Sequence, residues 1–106
     1  MSVYCAEVKA LSYGIEFVPG NVNVKQVVKF CKLAEANDID YAWITNHYNN
    51  RHCYPTLAMI AKETTTLQMG PGIMNSFTDT PAAMASFICT LEEISDGRAV
   101  LGIGPG

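Results

Sequence analysis

Apolar residues in the first half of the chain follow first a strand period and then a helix period. Leu11 to Phe17 is an apolar run that stops at the turn signal Pro19-Gly20, which predicts a first strand. Between Val24 and Ala34 the apolar positions recur at the spacing of one helical face, and Asn23 is suited to cap the start of that helix. The aromatic and branched run from Tyr41 to Thr45 then predicts a second strand.

The next segment predicts a short helix followed by a short strand. Pro55 marks the first turn of this helix, where the N–H that proline lacks has no intrahelical partner. Leu57, Ile60 and Ala61 form its apolar face. Leu67 to Met69 predicts a third strand, which runs directly into two glycines around a proline.

A third helix and a fourth strand complete the pattern. Thr80 is the expected N-cap, Pro81 the first helical residue, and Gly97 the expected C-cap. Arg98 to Gly106 predicts the fourth strand, again ending in glycines. The apolar face of the helix comprises Met84, Phe87, Ile88, Leu91 and Ile94.

Strands and helices therefore alternate, and this alternation predicts parallel strands. In a (β/α)8 barrel the carboxyl ends of all strands meet on one face, where groups from different strands come together. We therefore expect an α/β fold with about four strands and three helices, the first half of such a barrel. A doubly wound dinucleotide-binding sheet is disfavoured, because Pro105 interrupts the glycine-rich turn and no helix follows it. The residues after the predicted strands are Glu16, Asn46-His47-Tyr48, Gly70 to Asn75, and Gly104 to Gly106.

The densest group of polar side chains follows the second predicted strand. Residues 46–50 include His47 and Tyr48 and supply more hydrogen-bond donors and acceptors than a simple connector needs. An isolated histidine is more often a chance member of a polar loop, but the expected convergence of strand ends favours His47 as a site residue. Glu16 either faces solvent or occupies a polar pocket at the end of the first strand, because a carboxylate is costly in a dry core.

Composition excludes several classes of function. The 106 residues, 49% of them hydrophobic, suffice for one domain with a real core. A formal net charge of −3 without a basic cluster argues against nucleic acid and against an anionic membrane surface, and no apolar stretch approaches the roughly 20 residues of a membrane span. The four scattered cysteines predict free thiols in a reducing cytoplasm, and no spacing indicates a metal site.

Several stretches together resemble the methylenetetrahydromethanopterin reductase family, within the bacterial-luciferase-like group of (β/α)8 barrels. The resemblance implies transfer of a hydride from the reduced deazaflavin coenzyme F420 to methylenetetrahydromethanopterin, giving the methyl form in methanogenesis. It also implies a cytoplasmic homo-oligomer, no metal and a one-carbon pterin as substrate. The stretches that carry it are residues 14–19, 42–50, 69–73 and 97–106.

The resemblance assigns two residues to the chemistry itself. Glu16 matches an acidic residue of the family's site. Asn46 stands where the family usually has Asp, so a possible proton acceptor is replaced by an uncharged amide of similar shape. We expect both residues to be catalytic.

Other residues are assigned by the resemblance to binding. His47 would lie beside the deazaflavin ring and Tyr48 would contact the substrate. Gly72-Ile73 matches the position of a non-proline cis peptide that backs the ring, so we predict a cis bond there. Asn75 would offer its amide to the ring or the pterin.

The resemblance also predicts domain limits. Residues 1–12 exceed what the family places before its first strand and are expected to be an amino-terminal extension. Residues 13–106 are expected to be the amino-terminal half of the barrel, truncated and inactive alone. Two alternatives are open: another F420- or FMN-dependent luciferase-like oxidoreductase, and a non-catalytic half-barrel that serves as an interaction module or is a relic.

Overall fold

The computed structural model describes residues 11–106. The predicted alternation is confirmed, but the third strand continues past Met69 to Pro71, an additional two-residue strand follows at Met74–Asn75, and the fourth predicted strand is reduced to Ile103–Gly104. The expected extension, residues 1–12, lies almost wholly outside the described residues, as does Cys5. In chain order the elements are β1 (Gly14–Phe17), α1 (Val24–Ala36), β2 (Tyr41–Ile44), α2 (Cys53–Glu63), β3 (Gln68–Pro71), β4 (Met74–Asn75), α3 (Pro81–Ser95) and β5 (Ile103–Gly104).

The strands form two small parallel sheets. β1, β2 and β3 pair in that order, and β4 pairs with β5. A single parallel bridge between Met69 and Ala99 connects the segment before β5 to β3. Because all the pairs are parallel, the loops after β1, β2, β3 and β4 leave from the same edge, as the sequence predicted.

The two faces of the three-stranded sheet have different environments. On the outer face Ala42, Ile44 and Met69 are buried against the helices, together with Val27, Leu57 and Ile60. The inner face alternates with it and carries Glu16 opposite Trp43, which in turn lies opposite Gly70. Trp43 and Tyr41 stack there with ring centroids 6.1 Å apart. Within this pair, Trp43 lies against Gly72, a residue of the cavity described below.

Local side-chain chemistry sets the helix starts. Asn23 and Gln26 form a reciprocal capping box at α1, and Thr80 caps α3 with Pro81 as its first residue. α2 begins two residues before Pro55 because the side chain of His52 caps it, accepting a hydrogen bond from the Tyr54 N–H. Pro55 still falls in the first turn.

The prediction that Gly97 caps the end of α3 is wrong. The helix ends at Ser95, and Asp96 adopts the left-handed cap conformation with φ of 55°. Aspartate tolerates this region because its short polar side chain can bond locally. Gly97 follows with φ of 88°, so the glycine extends the turn that the aspartate begins.

Two charged side chains tie the helices together at the end of the sheet opposite the cavity. The Glu35 carboxylate accepts backbone N–H bonds from Thr65, Thr66 and Leu67 at 2.7–3.0 Å. Burial acts to raise the pKa of Glu35, but the bonds from Thr66, Leu67 and Thr65 outweigh it and the pKa is lowered.

The second is Arg98, whose guanidinium makes five hydrogen bonds. Its Nε donates to the Ser95 carbonyl at the end of α3. Its Nη atoms donate to the carbonyls of Ala61, Thr64 and Leu67 and to the Thr64 hydroxyl, at 2.7–3.0 Å. The end of α2, the end of α3 and the start of β3 are therefore fixed to one another.

Candidate functional site

A cavity of about 570 Å³ opens at the carboxyl ends of the strands. Its walls come from the loop after β2, the turn between β3 and β4, the loop after β4 and the last residue of the chain. The size falls within the range of about 300–1,000 Å³ typical of small-molecule sites. The lining residues are Thr45, Asn46, His47, Tyr48, Asn50, His52, Gly72, Ile73, Asn75, Thr78, Asp79 and Gly106.

The loop after β2 is anchored to the β1 loop. Thr45 is buried and bonds through both its N–H and its hydroxyl to the Phe17 carbonyl, at 3.1 and 3.3 Å. Farther along, the Arg51 Nη1 donates to the Pro19 carbonyl at 2.9 Å. Between these anchors the loop closes a short turn, in which the N–H of Asn50 donates to the His47 carbonyl at 3.1 Å. The polar side chains of residues 46–50 are therefore held on a braced loop.

Three of the predicted residues lie on this loop and differ in exposure. Asn46 is half-buried, whereas His47 is exposed and Tyr48 is 98% exposed. All three line the cavity, as the prediction of convergence requires. The phenol of Tyr48 therefore lies at the mouth of the cavity, with its ring available to a ligand.

The opposite wall is the peptide between Gly72 and Ile73, which is cis as predicted. Gly72 lies against Trp43: a Cβ added to it would be 3.2 Å from the Trp43 Cβ. Ile73 packs beside the β5 segment, where a Cβ on Gly104 would lie 2.9 Å from its Cδ1. Glycines at positions 72 and 104 therefore leave room for the close packing around this peptide, whose two residues line the cavity.

Asn75 organises the loop after β4. Its Oδ1 accepts the Phe77 N–H at 2.7 Å, and its carbonyl accepts the N–H groups of Thr78 and Asp79 at 3.2 and 3.0 Å. Its amide nitrogen lies beside Gly106, which has φ of 95°. The residue both lines the cavity and fixes the loop that contributes Thr78 and Asp79.

An aromatic group lies behind the cavity residue His52. Tyr54 stacks on Phe87 with centroids 3.9 Å apart and meets the edge of the His52 ring at 4.4 Å. Because His52 Nδ1 accepts a backbone hydrogen bond, the neutral ring carries its proton on Nε2. Burial raises the pKa of Tyr54, and a hydrogen bond to Asp79 adds to the rise.

Sequence reasoning missed His52 and Asp79 as cavity residues. The signal for His52 was its place directly before an apolar helical stripe, the N-cap position, although histidine is not among the preferred caps. Asp79 immediately precedes the cap of α3, and acidic residues are favoured there by the helix dipole. Neither signal reveals the long-range contact between α2 and the loop after β4.

Glu16 is the one predicted site residue that the structure does not place in this cavity. It lies exposed on β1 and borders a separate, apolar groove of about 480 Å³ beside α1, lined also by Phe17, Phe30 and Leu33. The cavity is formed by residues beyond the ends of β2 and β3, whereas Glu16 precedes the last residue of β1. Among the described residues, the cavity brings together six of the predicted site residues but not Glu16: Asn46, His47, Tyr48, Gly72, Ile73 and Asn75.

Three further observations concern metal binding, membrane spans and thiols. Within residues 11–106, no three His, Cys, Asp or Glu side chains are arranged to hold a metal ion. In the same part of the chain, no helix has the length and apolarity needed to cross a membrane. The described thiols of Cys31, Cys53 and Cys89 are free.

Comparison with curated proteins finds reductases of high identity. The chain is 49% identical to the 5,10-methylenetetrahydromethanopterin reductase of Archaeoglobus fulgidus and 47% identical to that of Methanolobus tindarius, in each case over 91% of this chain and 29% of the relative. An F420-dependent glucose-6-phosphate dehydrogenase of Kineococcus radiotolerans is 30% identical over 86% of this chain and 28% of its own. The chain therefore spans less than a third of the length of these relatives.

Solved structures show the same relationship. The coenzyme F420-dependent tetrahydromethanopterin reductase of Methanopyrus kandleri superposes with a TM-score of 0.86 at 43% identity, over 90% of this chain and 27% of that one. The oxygenating constituent of 3,6-diketocamphane monooxygenase from Pseudomonas putida, solved with FMN, superposes with a TM-score of 0.80 at 27% identity, over 92% and 30% of the two chains.

The sequence profile of the luciferase-like monooxygenases matches residues 8–106. This match covers the strands, the helices and the whole cavity described above. The fold predicted from strand and helix alternation, part of a luciferase-like (β/α)8 barrel, is confirmed by the profile and by both superpositions. The chain belongs to the luciferase-like monooxygenase family.

Proposed function

We propose that this chain provides the ring-binding part of an F420-dependent 5,10-methylenetetrahydromethanopterin reductase. The observation that carries the proposal is the 44–49% identity to three curated reductases over 91% of the chain. The dehydrogenase that also uses F420 is only 30% identical. We further propose a cytoplasmic protein that functions as a homo-oligomer.

The cavity fits a deazaflavin. Its volume suits a flat ring system, and the Gly72–Ile73 peptide offers a wall without a projecting side chain at its first residue. Amides of Asn46 and Asn75 and the imidazole of His47 provide donors and acceptors for the polar edge of such a ring. When bound, reduced F420 would supply the hydride that converts the methylene group to a methyl group.

The chain's own residues would orient the reactants. The Gly72–Ile73 wall fixes the plane in which a ring lies, and Tyr48 at the mouth presents an aromatic face to the pterin. Asn46 can donate and accept hydrogen bonds but cannot carry a proton at neutral pH, so it orients rather than transfers. Glu16 stays a predicted catalytic residue that lies outside the cavity.

Binding of F420 tests the proposal directly. Equilibrium dialysis of the 106-residue chain against oxidised F420 should give saturable binding to one site. Ile73→Ala, which removes part of the wall, should weaken binding several-fold, because apolar contact with the ring is lost. Ile103→Ala is the matched control, since Ile103 is 57% exposed and does not line the cavity. The absence of saturable F420 binding would contradict the proposal.

A second candidate is an FMN-dependent oxidoreductase of the same family. It is favoured by the superposition on a monooxygenase solved with FMN. Dialysis against FMN under the same conditions separates the two, because the reductase proposal requires tighter binding of F420. Tighter binding of FMN than of F420 would favour the FMN-dependent oxidoreductase.

A further inference from the structure

Asp79 is the only acidic side chain among the described residues that line the cavity. The other polar groups there are amides, hydroxyls and two imidazoles, and no lysine or arginine lines the cavity within residues 11–106. The cavity thus contains a fixed negative charge that is not matched by a permanent positive charge on its walls. Neither the sequence motifs nor the reductase assignment accounts for this residue.

The structure holds the Asp79 carboxylate in place. Its backbone N–H donates to the Asn75 carbonyl at 3.0 Å, which fixes the position of the main chain. The Thr78 hydroxyl donates to its Oδ2 at 3.3 Å. The Tyr54 hydroxyl on α2 donates to the Met74 Sδ at 4.0 Å. Burial raises the pKa of this phenol, and Asp79 lies close enough for its carboxylate to add to the rise. The start of α3 follows directly, where the helix dipole favours an anion.

Ring contacts position Tyr54 beside the loop that carries Asp79. Its ring stacks on Phe87 with centroids 3.9 Å apart and meets the His52 ring at 4.4 Å. A carboxylate supported in this way does not need a ligand to order it. The remaining acceptor capacity of Asp79 can be used by a group inside the cavity.

We propose that Asp79 stabilises the positive charge that develops on the one-carbon pterin during reduction. This inference rests on the proposed function. The methylene carbon bridges two nitrogens. When one C–N bond breaks and the released nitrogen takes a proton from solvent, the carbon remains on the other nitrogen as an iminium cation. A hydride from reduced F420, which is oxidised, then forms the new C–H bond, and the methyl product is neutral at this carbon. A fixed anion nearby favours the cationic stage over both neutral ends of the reaction.

A charge-selective binding measurement tests this role without turnover. Methenyltetrahydromethanopterin carries a permanent positive charge at the one-carbon bridge, whereas methyltetrahydromethanopterin is neutral there. Asp79→Asn keeps the shape and removes the charge. It should weaken binding of the methenyl form about tenfold and leave binding of the methyl form unchanged, as expected for one partly exposed charge pair.

Two variants serve as controls. Asp38→Asn makes the same change in charge at an exposed site after α1, at the far end of the sheet, and asparagine also tolerates its φ of 62°. Its methenyl affinity should equal that of the unmodified chain. Tyr54→Phe removes the phenol hydroxyl beside Asp79 but leaves the Asp79 charge, so most of the preference for the cation should survive.

The result also separates the inference from the proposed function. If the unmodified chain binds neither pterin, the proposed function fails and the inference fails with it. If both pterins bind but Asp79→Asn weakens them equally, or Tyr54→Phe reproduces its effect, Asp79 is structural and only the inference is overturned. If Asp79→Asn does not fold, the salt dependence of pterin binding to the unmodified chain tests the inference. Raising the salt to about 1 M should weaken methenyl binding and spare methyl binding, and equal weakening would overturn the inference.

Discussion

Replacing Arg98 by methionine tests how the ends of α2 and α3 are held together. The change keeps an unbranched stem as far as the position of Nε and removes all five hydrogen bonds of the guanidinium. Methionine leaves the carbonyls of Ala61, Thr64 and Leu67 without this donor.

The magnitude follows from the number and kind of these bonds. A hydrogen bond that involves a charged group contributes about 1.5–3 kcal/mol, but bonds from one group are not additive and Arg98 is only partly buried. We therefore expect a loss of about 3–5 kcal/mol in the free energy of unfolding, a large share of the roughly 5–15 kcal/mol typical of a domain. Arg98→Lys should recover only a minor part, because an ammonium cannot reach acceptors in so many directions.

The assay is urea unfolding followed by the fluorescence of Trp43, the only tryptophan. Arg51→Met is the matched control, because Arg51 is exposed and donates through a single Nη1 to two carbonyls. It should cost less than about 1 kcal/mol. The reasoning would be refuted if Arg98→Met lost no more stability than Arg51→Met.

Three other predictions concern charge, packing and reactivity. The folded-state pKa of Glu35 lies below its ordinary value of 4.5, so its contribution to stability is present above that value and is lost as the pH falls further. The melting temperature, measured from pH 7 to pH 3, should therefore fall less towards acid pH for Glu35→Gln than for the unmodified chain. Gly70→Ala should unfold the chain or displace the β5 segment, since the added Cβ meets the Val100 carbonyl oxygen, and a normal circular dichroism melt would contradict this. Burial, followed by a nearby carboxylate, raises the pKa of Cys53 to about 12, so peptide mapping after iodoacetamide at pH 8 should find exposed Cys89 labelled and Cys53 protected.

Elements whose signals are local were predictable from the sequence. The N-caps at Asn23 and Thr80 use a side chain and a backbone N–H only three residues apart, so their pattern is visible in the chain itself. The order of strands and helices follows from hydrophobic period in the same way. The end of α3 was missed by one residue because Asp96 competes with Gly97 for the left-handed position, and the usual preference is for glycine.

Long-range contacts account for what the sequence did not reveal. The sequence left open whether Glu16 faces solvent or a polar pocket, because it cannot show that the cavity forms beyond the ends of β2 and β3. The link from Tyr54 to Asp79 joins α2 to the loop after β4, and no local pattern encodes it. The cis bond at Gly72 was expected from family resemblance, since periodicity contains no information about it.

The central claim is that the cavity beside the Gly72–Ile73 peptide receives the deazaflavin ring. The most direct measurement is a titration of the ¹⁵N-labelled chain with F420, followed by NMR. The amide signals of Asn46, His47, Ile73 and Asn75, which line the cavity, should shift together and saturate at one equivalent. Those of Glu35 and its backbone partners, at the opposite end of the sheet, should not move. Shifts confined to that opposite end, or to the groove beside α1, would contradict the claim.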